Sequence, residues 1–205
     1  MPPPQETRLV RYSEAAMPSR YGLFRAVAYR DVFSGIEHLA MVCGQPERQE
    51  LPIVRVHSEC LTGEAFGSLR CDCGEQLDSA LRIIGETGSG CMVYLRGHEG
   101  RGIGLANKIA AYALQDSGLD TLDANEQLGF AVDAREFEAA AAILRDLELT
   151  KVELLTNNPA KVSKLVAAGI VVSRRRGLIG AVNASNSVYL ASKRDRFGHF
   201  LEPLG

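Results

Sequence analysis

The spacing of apolar residues along the chain changes after about residue 60, which predicts strands before that point and helices alternating with strands after it. The segments LFRAVAYR and IEHLAMVCG have the composition of strands, and the turn-prone DVFSG between them indicates a β-hairpin. Residues 53–57, IVRVH, form a further β-branched run. This run predicts a strand that delivers His57, Ser58 and Glu59 at its end.

Helical periodicity begins after a segment that is rich in cysteine. Leu77, Leu81 and Ile84 fall on one helical face before the breaker GETGSG, and CMVYLR after the breaker predicts a buried strand. Further helices are predicted over residues 103–117 and 135–147, and the strand KVELLT follows them.

A last helix start and the β-to-α alternation together indicate the fold class. Asn158 is a favourable N-cap residue and Pro159 suits the first helical position. We therefore expect the class α/β (α+β), with a single domain in which a mixed β-sheet is packed with helices. The proline-rich N-terminus predicts a flexible arm over residues 1–20, which leaves residues 21–205 for the domain.

Composition excludes several classes of function. The 205 residues carry 23 basic and 25 acidic side chains, so the net charge of -2 provides no global field for nucleic-acid binding. Recognition of any polyanion must then be local. The sequence has neither a signal-peptide pattern nor the roughly 18 consecutive apolar residues of a membrane span, which predicts a cytoplasmic protein without membrane association.

Three of the five cysteines, Cys60, Cys71 and Cys73, lie within fourteen residues. In a reducing compartment this crowding favours a metal site over disulfides. Zinc with four protein ligands is usually structural, whereas zinc with three keeps a position open for water. The spacing C-x10-C-x-C lacks the paired C-x2-C knuckles of zinc fingers. His57 could be a fourth ligand, or it could contact a substrate or transfer protons.

A glycine-rich loop, LRGHEGRGIGL at residues 95–105, connects a predicted strand to a predicted helix. Backbone N-H groups at such a position can hold an anion, and Arg101 could bind phosphate oxygens in a bidentate manner. The loop matches neither the dinucleotide-binding nor the Walker pattern. Along the next helix Arg101, Lys108 and Tyr112 share one face, which is either a functional stripe or an ordinary solvated face.

Two more predicted helix starts carry basic residues. Asp133 and Arg135 surround one start, and Thr156 and Lys161 surround the other. Each group could provide routine capping or an anion contact. Three helix starts with a nearby cation are compatible with a triphosphate ligand.

Several motifs, taken in order, resemble the signature blocks of GTP cyclohydrolase II: RVHSEC, SLRCDCG, EGRGIGL, NKIAAYALQD, QLGF followed by D-x-R, and LLTNNPAKV. The resemblance extends from about Tyr21 to the end of the chain and places the catalytic domain there. It implies that GTP is opened at its imidazole ring in the first step of riboflavin synthesis, with release of formate and pyrophosphate. It also implies Zn2+, one per subunit, Mg2+ as a second cofactor, and a homodimer.

The resemblance assigns roles to individual residues. Cys60, Cys71 and Cys73 look like the zinc ligands, with the fourth position left for the water that attacks C8 of guanine. Asp133 resembles the family's proton acceptor, and Tyr112 the tyrosine near the ring-opening chemistry. The positions similar to the GTP-binding residues of the family are Arg55, Val56, His57, Ser58, Glu59, Gln76, Glu99, Gly100, Arg101, Thr121, Thr156 and Lys161.

Arg135 matches the family's proposed nucleophile at the α-phosphate. A guanidinium stays protonated at neutral pH, so Asp133 would have to take its proton. The alternative is that Arg135 only stabilises charge on the phosphates as pyrophosphate leaves.

Two other functions compete with the complete reaction. One is that of a paralogue of secondary metabolism that opens the ring but retains the formyl group, against which Tyr112 argues. The other is that of a zinc-stabilised binding module without turnover, against which the joint presence of Tyr112, Asp133 and Arg135 argues. Many relatives carry a dihydroxybutanone phosphate synthase domain at the N-terminus; this sequence lacks it, which predicts a stand-alone enzyme.

Overall fold

The structure, a computed structural model, describes residues 8–119, 121–130, 133–178, 180, 183 and 185–201, without the side chains at 121, 122, 125 and 188. The strands in this part are β1 (Leu9–Ser19), β2 (Gly22–Asp31), β3 (Glu37–Cys43), β4 (Ile53–Ser58), β5 (Gly90–Leu95), β6 (Lys151–Leu155) and β7 (Val171–Arg176). The α-helices are α1 (Leu61–Glu64), α2 (Cys73–Thr87), α3 (Leu105–Asp116), α4 (Thr121–Gln127), α5 (Glu138–Asp146), α6 (Pro159–Ala167) and α7 (Ser187–Phe197). Short 3-10 turns occupy Pro46–Arg48 and Glu99–Gly102.

The strands form one mixed sheet in the order β1-β2-β3-β5-β4-β6-β7. The pairs from β1 through β3 to β5 are antiparallel, and the pairs from β5 through β4 and β6 to β7 are parallel. The predicted fold class, a mixed sheet packed with helices, is confirmed. The hairpin is also confirmed, since β2 and β3 pair with Ala28 opposite Leu39.

Helices cover both faces of the sheet, as the burial pattern requires. On one face Phe137 and the α5 residues Ile143 and Leu144 pack against the central strands. On the other face Ile84 of α2 packs with Phe24 and its neighbours. The central strands β4 and β5 are buried on both sides. The sequence of β5, GCMVYL, is accordingly almost continuously apolar, whereas β4, IVRVHS, carries the buried Arg55 and His57.

The predicted helices occur with shifted ends. The helix expected over 103–117 begins at Leu105, because the glycine loop before it turns once as a 3-10 segment. The helix expected over 135–147 spans Glu138–Asp146. Asn158 caps α6 as predicted, since its Oδ1 accepts the Ala160 N-H at 2.9 Å.

The N-terminal segment differs from the flexible arm that the sequence analysis expected over residues 1–20. Residues 1–7 lie outside the described part, but Leu9–Ser19 form an edge strand that pairs with β2 from Leu9 opposite Asp31 to Ser19 opposite Gly22. Nearly all β1 side chains are exposed, so the strand is held by backbone hydrogen bonds and leaves little apolar pattern in the sequence. A domain start at residue 21 would cut this pairing.

The parallel half of the sheet determines where a site can form. Strands β4, β5 and β6 run parallel, so the segments that follow them meet at one edge. Ligands of open α/β sheets bind outside the carboxyl ends of the strands. None of the helices in the described ranges is both long and apolar enough to cross a bilayer.

Candidate active site

A pocket lies at the carboxyl ends of β4, β5 and β6, and most residues singled out from the sequence line it. These are Arg55, His57, Ser58, Glu59, Cys60, Cys71, Cys73, Gln76, Glu99, Gly100, Arg101, Tyr112, Arg135, Thr156 and Lys161. Val56 and Asp133 are connected to the pocket by hydrogen bonds: the Val56 carbonyl accepts one from Lys161, and the Asp133 carboxylate accepts one from Arg135. The side chain of Thr121 lies outside the part of the chain that the structure describes.

Cys60, Cys71 and Cys73 form a thiol triad whose Sγ atoms all lie within 4.8 Å of one another. The Cys60 and Cys71 Sγ atoms are 3.6 Å apart, and the three thiols are free. Gly63 lies directly against the triad, since a Cβ there would come within 2.7 Å of the Cys71 Sγ. Three soft sulfur donors converging on one point fit a zinc ion with an open fourth position.

Charges around the triad favour a thiolate. Hydrogen bonds from Cys71 and Cys73, together with the Lys108 ammonium, lower the pKa of the Cys60 thiol. Lys108 Nζ lies 3.1 Å from the Cys60 Sγ and 2.5 Å from the Glu99 Oε1. A thiolate is the form of cysteine that binds metals.

Both ring nitrogens of His57 have partners outside the thiol triad. Nε2 lies 2.8 Å from the Glu64 Oε1, and Nδ1 lies 3.4 Å from the Arg55 Nη2. Since a guanidinium can only donate, Nδ1 accepts the hydrogen bond from Arg55, and the protonated Nε2 donates a hydrogen bond to the Glu64 carboxylate. Within the described part, the cluster able to hold a metal contains only the three cysteines, so His57 is not grouped with them as a fourth ligand.

The glycine loop is strained where it enters the pocket. Gly100 and Arg101 have φ angles of 59° and 65°, and the left-handed region is unfavourable for arginine. This turn brings the Arg101 guanidinium within 3.8 Å of the Asp133 Oδ2 and over the Phe197 ring at 3.7 Å. Backbone strain of this kind is often found at functional sites.

Asp133 and Arg135 form a bidentate ion pair. Arg135 Nε donates to Oδ1 at 2.9 Å and Nη2 donates to Oδ2 at 2.6 Å. Burial alone would raise the pKa of Asp133, but the hydrogen bonds from Arg135 outweigh it and lower that pKa. The pKa of Arg135 is raised: burial opposes the charge, and the bonds to Asp133 overcome this effect. The pair is therefore a carboxylate and a guanidinium at neutral pH.

Arg55 and Lys161 are buried cations whose hydrogen bonds go to neutral groups. Arg55 is 5% exposed and bonds to the Leu155 carbonyl at 2.9 Å and the Gln76 Oε1 at 2.7 Å, while its Nε has no partner. Lys161 is 4% exposed and donates to the Val56 carbonyl at 2.7 Å. Burial lowers the pKa of Arg55 to about 10 and lowers the pKa of Lys161 well below its usual value. Two buried basic groups beside one cavity form a site suited to an anion, whose charge would favour their protonated forms.

The sequence analysis missed several polar residues of the site. Glu64 accepts hydrogen bonds from His57 and from the Cys60 N-H at 2.8 Å. Asp72 is buried between the two cysteines that flank it. Both acids stood within the cysteine-rich segment and could have been noticed there. Tyr189, Lys193 and His199 also line the pocket, but no sequence pattern pointed to them.

We predict that stability falls as the medium is acidified from pH 6.5. Burial lowers the pKa of all four histidines, to about 4 for His57 and to about 3 for His98 and His199, with a lowered pKa also at His38. At pH values between the ordinary histidine pKa of about 6.5 and these lower values, the histidines bind protons in the unfolded chain but not in the folded chain. Each such histidine then removes up to about 1.4 kcal/mol of unfolding free energy per pH unit.

Urea denaturation at pH 6.5 and pH 5 measures this loss, and a His98→Asn variant isolates one contribution. The His98 Nδ1 lies 3.0 Å from the Ser58 Oγ, and an asparagine oxygen can take that place. The free energy of unfolding should fall less steeply with acidification in the variant than in the parent, by up to about 1.4 kcal/mol per pH unit, because the variant has no imidazole to protonate at this position. Equal losses in the two proteins would contradict the neutral state assigned to His98.

Comparisons with known proteins agree with the motifs. The family model described as GTP cyclohydrolase II matches residues 10–177. Riboflavin biosynthesis protein RibBA of Nocardia farcinica is 51% identical, over 96% of this chain and 47% of the relative. The RibBA protein of Chlamydia muridarum is 53% identical over 92% of this chain and 45% of its own length.

This chain matches a smaller share of a plant relative. The probable bifunctional riboflavin biosynthesis protein RIBA 2, chloroplastic, of Oryza sativa subsp. japonica is 52% identical, over 94% of this chain and 35% of the relative. The chain thus spans less than half the length of these relatives. The family match nevertheless covers most of the chain, including the thiol triad and the glycine loop. The chain belongs to the GTP cyclohydrolase II family.

Proposed function

We propose that this protein hydrolyses GTP, opens its imidazole ring and releases formate and pyrophosphate. The product would be 2,5-diamino-6-(5-phospho-ribosylamino)pyrimidin-4(3H)-one, and the reaction would be the first step of riboflavin biosynthesis. The observation that carries the proposal is one pocket lined by the thiol triad and by two buried cations, Arg55 and Lys161. Hydrolytic opening of the base of a nucleoside triphosphate would use both: donors for a metal that activates water near the base, and cations for the phosphates.

Cys60, Cys71 and Cys73 would hold zinc. Zinc held by three thiolates supplies Lewis acidity and lowers the pKa of water at its open position. Gly63 has no side chain to clash with the three sulfurs. The Glu64 carboxylate accepts a hydrogen bond from the Cys60 N-H and so fixes the backbone at the first of the three cysteines.

The cations of the pocket would bind and orient the triphosphate. Arg55 and Lys161 are the best placed to do so, because their hydrogen bonds to oxygen go to backbone carbonyls and the Gln76 amide and not to carboxylates. Arg101 and Arg135 both form ion pairs with the Asp133 carboxylate, so their guanidinium groups lie in the same region of the pocket. In this arrangement Arg135 would stabilise charge on the phosphates as pyrophosphate leaves.

Tyr112 would act as a hydrogen-bond donor near the ring-opening chemistry. Burial raises the pKa of its phenol, so the group keeps its proton at neutral pH. The Arg70 guanidinium lies over its ring at 4.8 Å and holds it against the pocket. This placement is compatible with the complete reaction, in which the formyl group leaves.

Three further properties are part of the proposal. Mg2+ would accompany the triphosphate, because this ion binds proteins chiefly through substrate phosphates and one or two carboxylates. The protein would form a homodimer and act in the cytoplasm.

Product analysis tests the proposed function. The protein is incubated with GTP, zinc and magnesium, and formate and pyrophosphate are quantified beside the ultraviolet spectrum of the pyrimidine, with ATP as the control substrate. Equal amounts of formate and pyrophosphate from GTP are expected. Pyrophosphate without formate would instead indicate a formyl-retaining enzyme, and the absence of both products would indicate a binding module.

A further inference from the structure

Helix α7 forms one wall of the pocket, although it lies beyond the residues that the family model matches. The match ends at residue 177, whereas α7 spans Ser187–Phe197. Tyr189 and Lys193 of α7 face the cavity beside the residues of the thiol triad. The segment is therefore placed to influence groups that are distant from it in the chain.

Lys193 and Asp72 form a buried ion pair. The Lys193 Nζ lies 2.5 Å from the Asp72 Oδ1, and the two residues are 7% and 2% exposed. Asp72 stands between Cys71 and Cys73, so its carboxylate is fixed to the backbone that carries two of the three thiols. A buried carboxylate needs a compensating charge, and Lys193 provides it.

The other oxygen of Asp72 connects to Arg55. Asp72 Oδ2 accepts the Gln76 Nε2-H at 2.6 Å, and Gln76 Oε1 accepts the Arg55 Nη2-H at 2.7 Å. A carboxylate can only accept and a guanidinium can only donate, which determines the orientation of the Gln76 amide. One carboxylate thus joins α7, the loop of the triad and a buried cation of the pocket.

We propose that Lys193 is a positioning residue for the thiol triad and for Arg55, acting through the Asp72 carboxylate. Without the ammonium, Asp72 is left as an uncompensated buried charge, which favours its turning toward solvent. That movement would loosen the Cys71 to Cys73 loop and withdraw the Gln76 amide from Arg55. The consequence for turnover rests on the proposed function, whereas the consequence for metal binding does not.

Zinc affinity of the full chain, measured by competition with a chromophoric chelator, tests the proposal. We expect Lys193→Met to bind zinc about 10 to 100 times more weakly, the range typical when a group that supports a ligand is removed. Arg194→Met is the matched control, because Arg194 follows on the same helix and pairs with Asp195 at 2.6 Å. The control is expected to bind zinc as the parent does.

A double variant shows whether Lys193 acts through Asp72. If it does, the double variant Lys193→Met, Asp72→Asn binds zinc no more weakly than the single variant with the lower zinc affinity. The reason is that both substitutions remove the same Lys193–Asp72 contact. Independent, additive losses would overturn this route. Circular dichroism checks folding first. If Lys193→Met does not fold, Lys193→Gln is measured instead; it retains an N-H donor but lacks the ammonium charge, so it is also expected to bind zinc more weakly than the parent.

The kinetic readout separates this inference from the proposed function. If the parent releases formate, Lys193→Met is expected to raise KM for GTP and lower kcat, each by about 10-fold or more, since Arg55 and the triad both lose support. A folded Lys193 variant with parental zinc affinity overturns the inference while leaving the proposed function intact. A parent that consumes no GTP contradicts the proposed function while the zinc measurement still decides the role of Lys193.

Discussion

Replacing Cys71 with serine is expected to abolish zinc binding and formate release together. The Cys71 Sγ lies 3.6 Å from the Cys60 Sγ, so the two thiols belong to one coordination site. A serine hydroxyl is a harder donor that is rarely deprotonated, and it leaves two sulfurs to hold the ion. Formate release should fall by more than the roughly 100-fold loss that accompanies removal of a supporting residue.

Metal analysis and formate release are measured on the same preparations. Cys43→Ala is the matched control, since Cys43 is a buried thiol at the end of β3 and lies outside the triad. It should retain one zinc per chain and the parental rate. A Cys71→Ser protein that lacks zinc and still releases formate would contradict the proposed role of the triad.

The thiol triad could be predicted from the sequence because its chemistry is local. Cys71 and Cys73 are separated by one residue, and Cys60 precedes them by one short helix and a loop. Strand β5 could be predicted for a similar reason, since burial on both faces makes its sequence almost continuously apolar, and β4 could be predicted from its β-branched residues although it also carries Arg55 and His57.

Other features could not be predicted because their partners are distant in the chain. Lys193 and Asp72 are 121 positions apart, and no local pattern marks either as half of a buried pair. Strand β1 is stabilised by backbone bonds to β2, which leave no apolar signature. His57 illustrates the limit for a single residue: its spacing allowed metal ligation, and only the positions of Glu64 and Arg55 show which partners its nitrogens have.

Replacing Arg135 with alanine is expected to lower kcat for GTP by about 10²- to 10³-fold, the usual loss when a group that stabilises developing charge is removed. KM should change much less, because Arg55 and Lys161 remain to bind the phosphates. The bidentate bonds to Asp133 and the raised pKa keep Arg135 protonated, and a protonated guanidinium has no lone pair for attack on phosphorus.

Steady-state kinetics of Arg135→Lys and Asp133→Asn distinguish the two roles of Arg135. If Arg135 only supplies charge, Arg135→Lys recovers at least about 10-fold over Arg135→Ala, because an ammonium also stabilises phosphate charge though without bidentate geometry. Asp133→Asn should then be less harmful than Arg135→Ala, since the guanidinium keeps its charge. A covalent role requires Asp133 to take the Arg135 proton, although its own pKa is lowered by Arg135. That role would be supported if both variants were as inactive as Arg135→Ala and if α-phosphate label from GTP remained on the parent protein after denaturation.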